Sequence, residues 1–281
     1  MQTSSPPSGA VDAHQHFWPA GVRPRDPRTA VLDRAFAPAD LERELAGGIA
    51  RTVLVQCAAG PAENDRLDAY AAAFAPVGAV VAWLPLDDAG AAERELARVR
   101  ALTPLVRGLR AAVPPGTRAD GELLRVMAAA GEAGLVWEIV VTGESHVRLV
   151  EEVAAAHPSL GIVVDHLATP PLGRPDPGAW GEWIARLAAL PSVAVKVSVG
   201  GDVLTGWDWD AGALAPYVGR ALEAFGPERA MLAGNWPVVR LAADHATAWG
   251  SLRAAVAAAT SAAGLARVEG GTARHWYGIT G

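Results

Sequence analysis

The sequence predicts an α/β fold: a single (β/α)8 barrel of the TIM type. Three observations predict it. The length of 281 residues suits one α/β barrel, which takes about 250. Short apolar, β-rich runs alternate with alanine-rich amphipathic stretches along the whole chain, the pattern of a parallel sheet wrapped by helices. Run after run also ends in residues fit for binding or catalysis, which in a barrel would gather at one mouth.

Strands are predicted over Ala10–His14, Thr52–Gln56, Ala79–Leu84, Val106–Arg110, Leu135–Val140, Gly161–His166, Val193–Ser198 and Ala230–Gly234. Each is a continuous apolar run, as parallel strands covered on both faces require. Helices are predicted over Ala39–Ala46, Glu63–Phe74, Ala91–Leu102, Asp120–Ala133, His146–Ala156, Ala179–Leu190, Ala211–Phe225 and Ala242–Ala263. An open doubly wound sheet would carry a Gly-rich phosphate loop after its first strand, where this chain has Gln15–His16–Phe17–Trp18. No Pro/Gly/Ser-rich linker divides the chain. Residues 10–281 therefore read as one barrel, and Met1–Gly9 as a loose polar tail lacking the marks of a signal peptide. The loops Pro19–Arg34, Val113–Ala119 and Thr169–Gly178 follow strands one, four and six, so they belong to the face that shapes a substrate.

Composition narrows the function. Hydrophobic residues make up 51% and charged residues 19%, enough apolar material for a large core. A net charge of −6 argues against a nucleic-acid partner, which needs a basic face. No stretch reaches the about 18 uninterrupted apolar residues of a membrane helix. The lone Cys57 excludes an intrachain disulfide and predicts a cytoplasmic protein. It reads as a small buried filler, with a nucleophile as the alternative. A small-molecule partner is expected, and a homo-oligomer is left open.

The chemistry is expected at the strand ends. Asp12, His14 and His16 share one face of the first strand, so two imidazoles converge there, and Asp12, deeper in the barrel, is placed to brace one of them. Strand four ends in Arg110, strand five holds Glu138, strand six ends in Asp165–His166, strand seven carries Lys196 and Ser198, and strand eight ends in Gly234–Asn235–Trp236–Pro237. With His166 facing the lumen, simple alternation turns Asp165 toward the helices. Trp18, Trp83 and Trp236 flank strand ends and are placed to wall a pocket against a ring substrate. Trp207 and Trp209 are candidates for the same role, with packing as their default. His146, His157, His245 and His275 read as surface or packing residues.

The segments VDAHQHFW, TVLVQ, GLR, VVDHL followed by TPP, VAVKVS and FGPERAMLAGNWPV resemble the lactonase branch of the amidohydrolase superfamily, which includes sugar-lactone hydrolases and the 2-pyrone-4,6-dicarboxylate hydrolase type. The resemblance runs from about Val11 to Tyr277, with RHWYGI as the closing segment. It implies a distorted barrel and water attack on a lactone or related carbonyl. His14 and His16 match the first-strand pair, Arg110 the substrate-binding arginine and His166 the sixth-strand histidine. Asn235 stands where the family has an aspartate that serves as general base and, in metal-dependent members, as a ligand.

That departure bears on mechanism. A carboxamide cannot take a proton from water at neutral pH, although it can orient water or donate to an oxyanion. Glu138, in LVWEIVV, is the candidate replacement; a structural pairing with Arg110 or Lys196 is its alternative. Two forms of the site are expected. In one, His14, His16, His166 and Glu138 hold a divalent ion, Zn or Mn. In the other, metal-free as in some members of the family, Arg110, Lys196 and three imidazoles form a cationic mouth that favours an anionic, carboxylated ring substrate, with Arg110 on its carboxylate. The expected activity is a lactonase-type hydrolase. A decarboxylase, cyclase or lyase on the same barrel is the alternative that Asn235 raises, followed by a non-catalytic binding barrel.

Overall fold

The computed structural model describes residues 9–22, 26–173 and 178–280. The predicted tail over 1–8 and the loop positions 23–25 and 174–177 lie outside them. Among the described residues, eight strands form one parallel sheet in chain order: β1 (Ala10–Gln15), β2 (Ile49–Val55), β3 (Val77–Trp83), β4 (Val106–Arg110), β5 (Val136–Val140), β6 (Ile162–Asp165), β7 (Val193–Val197) and β8 (Ala230–Leu232). The seam between β8 and β1 is closed by short contacts just past the strands. His16 N donates to Trp236 O (2.8 Å) and Asn235 N to His14 O (2.9 Å), so the sheet returns on itself as a barrel.

Helices α1 (Pro38–Glu44), α2 (Pro61–Ala73), α3 (Ala89–Leu102), α4 (Gly121–Glu132), α5 (Glu144–Ala156), α6 (Trp180–Ala188), a short α7 (Gly201–Leu204), α8 (Ala211–Phe225) and α9 (His245–Ala259) surround it. Aspartates set several of their starts: Asp88, Asp120, Asp210 and Asp244 each accept from backbone N–H groups of the first turn. The single helix expected over Ala242–Ala263 is divided. Thr260 is extended, and Ser261 caps a separate α10 (Ala262–Ala266), which leads to α11 (Thr272–Tyr277). No helix among the described residues is long and apolar enough to cross a membrane.

Strand alternation sorts side chains between two cores. Leu109, Trp137, Val164, Val195 and Leu232 join the shell between sheet and helices. Val136, Val163, Ala194 and Met231 fill the lumen together with Tyr277 and Ile279 from the C-terminus. One pleat above that apolar layer, the inward positions of β4 to β7 are Arg110, Glu138, Asp165 and Lys196. The barrel thus has an apolar floor and a charged storey over it.

β1 departs from the expected alternation. Asp12 pairs with Thr52 but Gln15 with Leu54, so three steps on β1 oppose two on β2. This bulge exchanges faces within the strand. His14 and His16 enter the lumen, whereas Asp12 turns toward α9, a correction to the shared face read from simple alternation. The Asp12 carboxylate accepts from His14 N (3.1 Å), Gly234 N (2.7 Å) and His245 Nε2 (2.9 Å). It therefore braces the β1–β8 seam through the backbone and ties it to the His245 ring of α9, and it leaves the His14 and His16 imidazoles alone. A Cβ on Gly234 would stand 2.7 Å from Asp12 Oδ2, so only glycine admits this clamp.

Candidate active site

His14 and His16 meet at the mouth with their Nε2 atoms 3.0 Å apart. The Nδ1 of His16 lies 2.8 Å from Val55 O. A carbonyl can only accept, so Nδ1 carries the proton and the His16 Nε2 is a bare acceptor. Two arrangements then suit His14, whose Nδ1 is 3.1 Å from Lys196 Nζ and 3.3 Å from Asp165 Oδ1. When Lys196 donates to Nδ1, His14 donates through Nε2 to His16. When Nδ1–H points at Asp165, both Nε2 lone pairs face each other and need a cation between them.

Asp165 is inside the barrel, contrary to the orientation expected from His166. The reason is backbone geometry. β6 ends at Asp165, and His166, Leu167, Ala168 and Thr169 all have φ of 53–54°. Such a left-handed run of non-glycine residues is costly. It swings His166 back over the mouth, so neighbours in sequence share the site. The His166 and His14 ring centroids are 4.6 Å apart, and His166 Nδ1 meets Ser198 Oγ at 2.8 Å. Gly200 allows this placement, since a Cβ there would lie 3.1 Å from His166 Cδ2.

The acid that joins the histidines is Asp165, and the expected ligand Glu138 is not part of that group. Ligand atoms of His14, Asp165 and His166 lie within 4.8 Å of one another. Glu138 is fully buried and occupied elsewhere: Lys196 Nζ is 2.7 Å from its Oε2, and the Tyr277 hydroxyl donates to its Oε1. Tyr277 had no sequence signal beyond its place in the closing segment. Lys196 also reaches Asp165 at 3.3 Å, so its ammonium lies between two buried carboxylates. Arg110 sits at the cavity edge with Nε 3.1 Å from Asp165 Oδ2 and Nη1 3.3 Å from Gln56 O. Its internal carboxylate partner is thereby found.

Asn235 lines the mouth with φ 52°, a conformation asparagine tolerates better than most residues. Its Nδ2 donates to Val199 O at 2.8 Å, and its buried Oδ1 has no hydrogen-bond partner. The chamber that His16, Arg110, His166 and Asn235 share has a volume of about 520 Å³. An adjoining lobe of about 370 Å³ is lined by Gln56, Cys57, Trp83 and His146. Of the expected wall residues, Trp83 lines a cavity. Trp18 is buried and donates to Arg34 O (3.0 Å), and Trp236 is buried against Phe17 and Phe36 with its Nε1 on Glu44. Both are core residues, because large indoles beside a tightly hydrogen-bonded seam are worth more packed than exposed. Trp207 and Trp209 pack on each other, 5.5 Å apart. Cys57 is half-buried at the cavity edge, its Sγ 3.3 Å from Glu63 Oε1.

Electrostatics revise the expected cationic mouth. Burial, reinforced by Arg110, pushes His16 down to about 3. Burial takes His166 to about 4 despite the opposing charge of Asp165, and it holds His14 well below the ordinary histidine value. All three imidazoles are neutral at pH 7. Burial lifts Glu138 to about 6 against the pull of Lys196. Burial also opposes ionisation of Asp165, but Lys196, His14 and Arg110 together hold it well below the usual carboxylate range. Two cations thus face two carboxylates, and the buried layer under the mouth is balanced among the described residues.

A pH dependence of stability follows. Below about pH 6.5 the unfolded chain protonates histidines that the folded chain keeps neutral, so stability falls as pH falls. Glu138, with its raised value, acts in the opposite sense between about 6 and 4.5. Three histidines outweigh one glutamate. In chelator-treated protein, urea unfolding at pH 7, 6 and 5 is expected to lose about 2–3 kcal/mol per pH unit below 6.5. A flat profile would contradict the burial of three neutral imidazoles.

This histidine-rich mouth on an eightfold parallel barrel defines a hydrolase-type site, and the comparisons agree. The Amidohydrolase family model matches residues 11–279; the chain belongs to the amidohydrolase family. It is 34% identical to an L-fucono-1,5-lactonase of Burkholderia ambifaria, over 96% of this chain and 95% of that protein. It is 30% identical to an L-fucono-1,5-lactonase of Burkholderia multivorans, over 96% of each. Among solved structures, an amidohydrolase from Burkholderia multivorans with bound zinc superposes with a TM-score of 0.83 at 28% identity, over 96% of this chain and 99% of that one.

Proposed function

We propose that the protein is a lactonase that opens a neutral sugar 1,5-lactone by adding water to its ring carbonyl. The observation that carries this reading is the near full-length similarity to two L-fucono-1,5-lactonases. The pairing of the buried charges under the mouth supports the neutral substrate. Among the described residues, Arg110 and Lys196 are already paired with Asp165 and Glu138, so a neutral substrate takes the place of the anionic one expected from sequence.

The residues divide the work. In the tautomer that donates Nδ1–H to Ser198 Oγ, His166 has its Nε2 bare toward the chamber to take the proton of the attacking water. The unpartnered Oδ1 of Asn235 orients that water, a task a carboxamide performs without acting as base. Arg110 presents its remaining N–H groups to the carbonyl oxygen as negative charge develops on it. The facing Nε2 atoms of His14 and His16, with Asp165 and His166 beside them, are the donor set that zinc prefers. Those four residues would hold a divalent ion, which when bound would polarise the carbonyl and acidify water; His166 would then be a ligand through Nε2, so its role as base belongs to the metal-free site.

Non-hydrolytic chemistry, as in a decarboxylase or lyase, is the second reading. Asn235 in place of an aspartate is the observation that favours it. Acid release from L-fucono-1,5-lactone, compared with carbon dioxide release from carboxylated aromatic rings, separates the two. Turnover of the lactone supports the first reading, and turnover only of the carboxylated rings supports the second.

A further inference from the structure

Asp202 is a carboxylate at the mouth to which the chemistry above gives no task. It lies on α7, just after the Gly200–Gly201 pair, and is exposed. Its loop is fixed by the close packing of Gly200 on His166. Asp202 borders the 520 Å³ chamber, the 370 Å³ lobe that holds Trp83, and a third cleft of about 710 Å³ along Thr169–Gly173 and Trp180. Among the described residues it has no hydrogen bond or ion pair. The other acid on the chamber, Asp26, is held by Arg28 at 2.6 Å.

A carboxylate without a protein partner has acceptor sites only, and its two oxygens can accept from two adjacent hydroxyls at once. At the same distance it repels a second carboxylate. Arg110 lines both the chamber and the lobe, so a ring with its carbonyl at Arg110 and His166 extends its substituents toward Trp83 and Asp202. An indole and an acceptor lining one lobe suit a ring with apolar C–H faces and hydroxyl edges.

We propose that Asp202 is the specificity-determining residue of this site, accepting hydrogen bonds from adjacent hydroxyls of a neutral sugar lactone. The proposal rests on the lactonase reading and adds which part of the substrate is recognised. After ring opening the product carries a carboxylate, and the same side chain then favours its departure.

The test compares L-fucono-1,5-lactone with unsubstituted δ-valerolactone in the wild type, Asp202→Ala and Asp202→Asn. The sugar lactone is expected to lose at least about tenfold in kcat/KM relative to δ-valerolactone in Asp202→Ala, the scale of a lost hydrogen bond to a charged group. The loss should appear in KM, and Asp202→Asn, which keeps one acceptor oxygen, should lose less. An unchanged ratio, or an equal loss on both lactones through kcat, overturns the proposal. Calorimetric binding of L-fucono-1,5-lactam separates this idea from the lactonase reading. If the wild type opens neither lactone yet binds the lactam about tenfold more tightly than Asp202→Ala does, the lactonase reading fails and the recognition role stands. Equal affinities, or no binding to the wild type, overturn the role itself.

Discussion

Exchanging His166 for asparagine is expected to lower kcat for sugar-lactone hydrolysis by about 10²–10⁴-fold, the usual contribution of a positioned general base. Asparagine is the informative substitute because His166 has φ 53°. Asn adopts left-handed backbone readily, so the turn over the mouth survives, whereas alanine would add backbone strain to the loss of the imidazole. The amide cannot accept the water proton, and Ser198 loses the ring nitrogen 2.8 Å away. Circular dichroism should be unchanged, and the loss should fall on kcat with KM nearly constant. An activity within threefold of wild type would remove His166 from the proton-transfer step.

The second large effect concerns stability. Lys196→Met is expected to destabilise the fold by about 3–5 kcal/mol, the range for breaking a buried ion pair by removing one partner. The ammonium lies 2.7 Å from Glu138 and 3.3 Å from Asp165, and both carboxylates are wholly buried. Without it, Tyr277 and Arg110 remain as partners, but the charge of the inner storey no longer balances. Adding Glu138→Gln removes one stranded charge and should restore part of the loss, a coupling that a double-mutant cycle in urea would show. A single-variant loss under 1 kcal/mol would mean that Lys196 is not the keystone of that storey.

The barrel was legible because each strand is a continuous apolar run that a parallel sheet buries on both faces. Strand ends such as Arg110, Lys196 and Asn235 were legible for the same reason. Two local backbone events were not. The β1 bulge moves the register by one residue and leaves no mark in composition, so Asp12 was placed on the wrong face. The left-handed turn from His166 to Thr169 contains no glycine to announce it, so Asp165 was turned outward. A signal for Asp165 existed nonetheless. Alternation counted from Val163, an inner residue, puts Asp165 inside, and the inward cations Arg110 on β4 and Lys196 on β7 require anions near them. Trp18 and Trp236 show the limit of reading indoles at strand ends, since their burial depends on Phe36, which is distant in sequence.

The departure at Asn235 was visible in sequence, and the geometry gives it a defined task. With Nδ2 anchored on Val199 and Oδ1 unpartnered, it can hold a water in place while His166 takes the proton. Exchange of Asn235 for Asp would add a charge over the balanced buried layer, so it is a change of electrostatics as well as of base.

Hydrolysis of L-fucono-1,5-lactone in ¹⁸O-labelled water tests the central claim most directly. The expected result is acid release with one labelled oxygen in the product carboxylate, at a kcat/KM within the ordinary enzymatic range of about 10⁴–10⁸ M⁻¹s⁻¹. Failure to open this or any related sugar lactone, together with carbon dioxide release from a carboxylated ring, would contradict it.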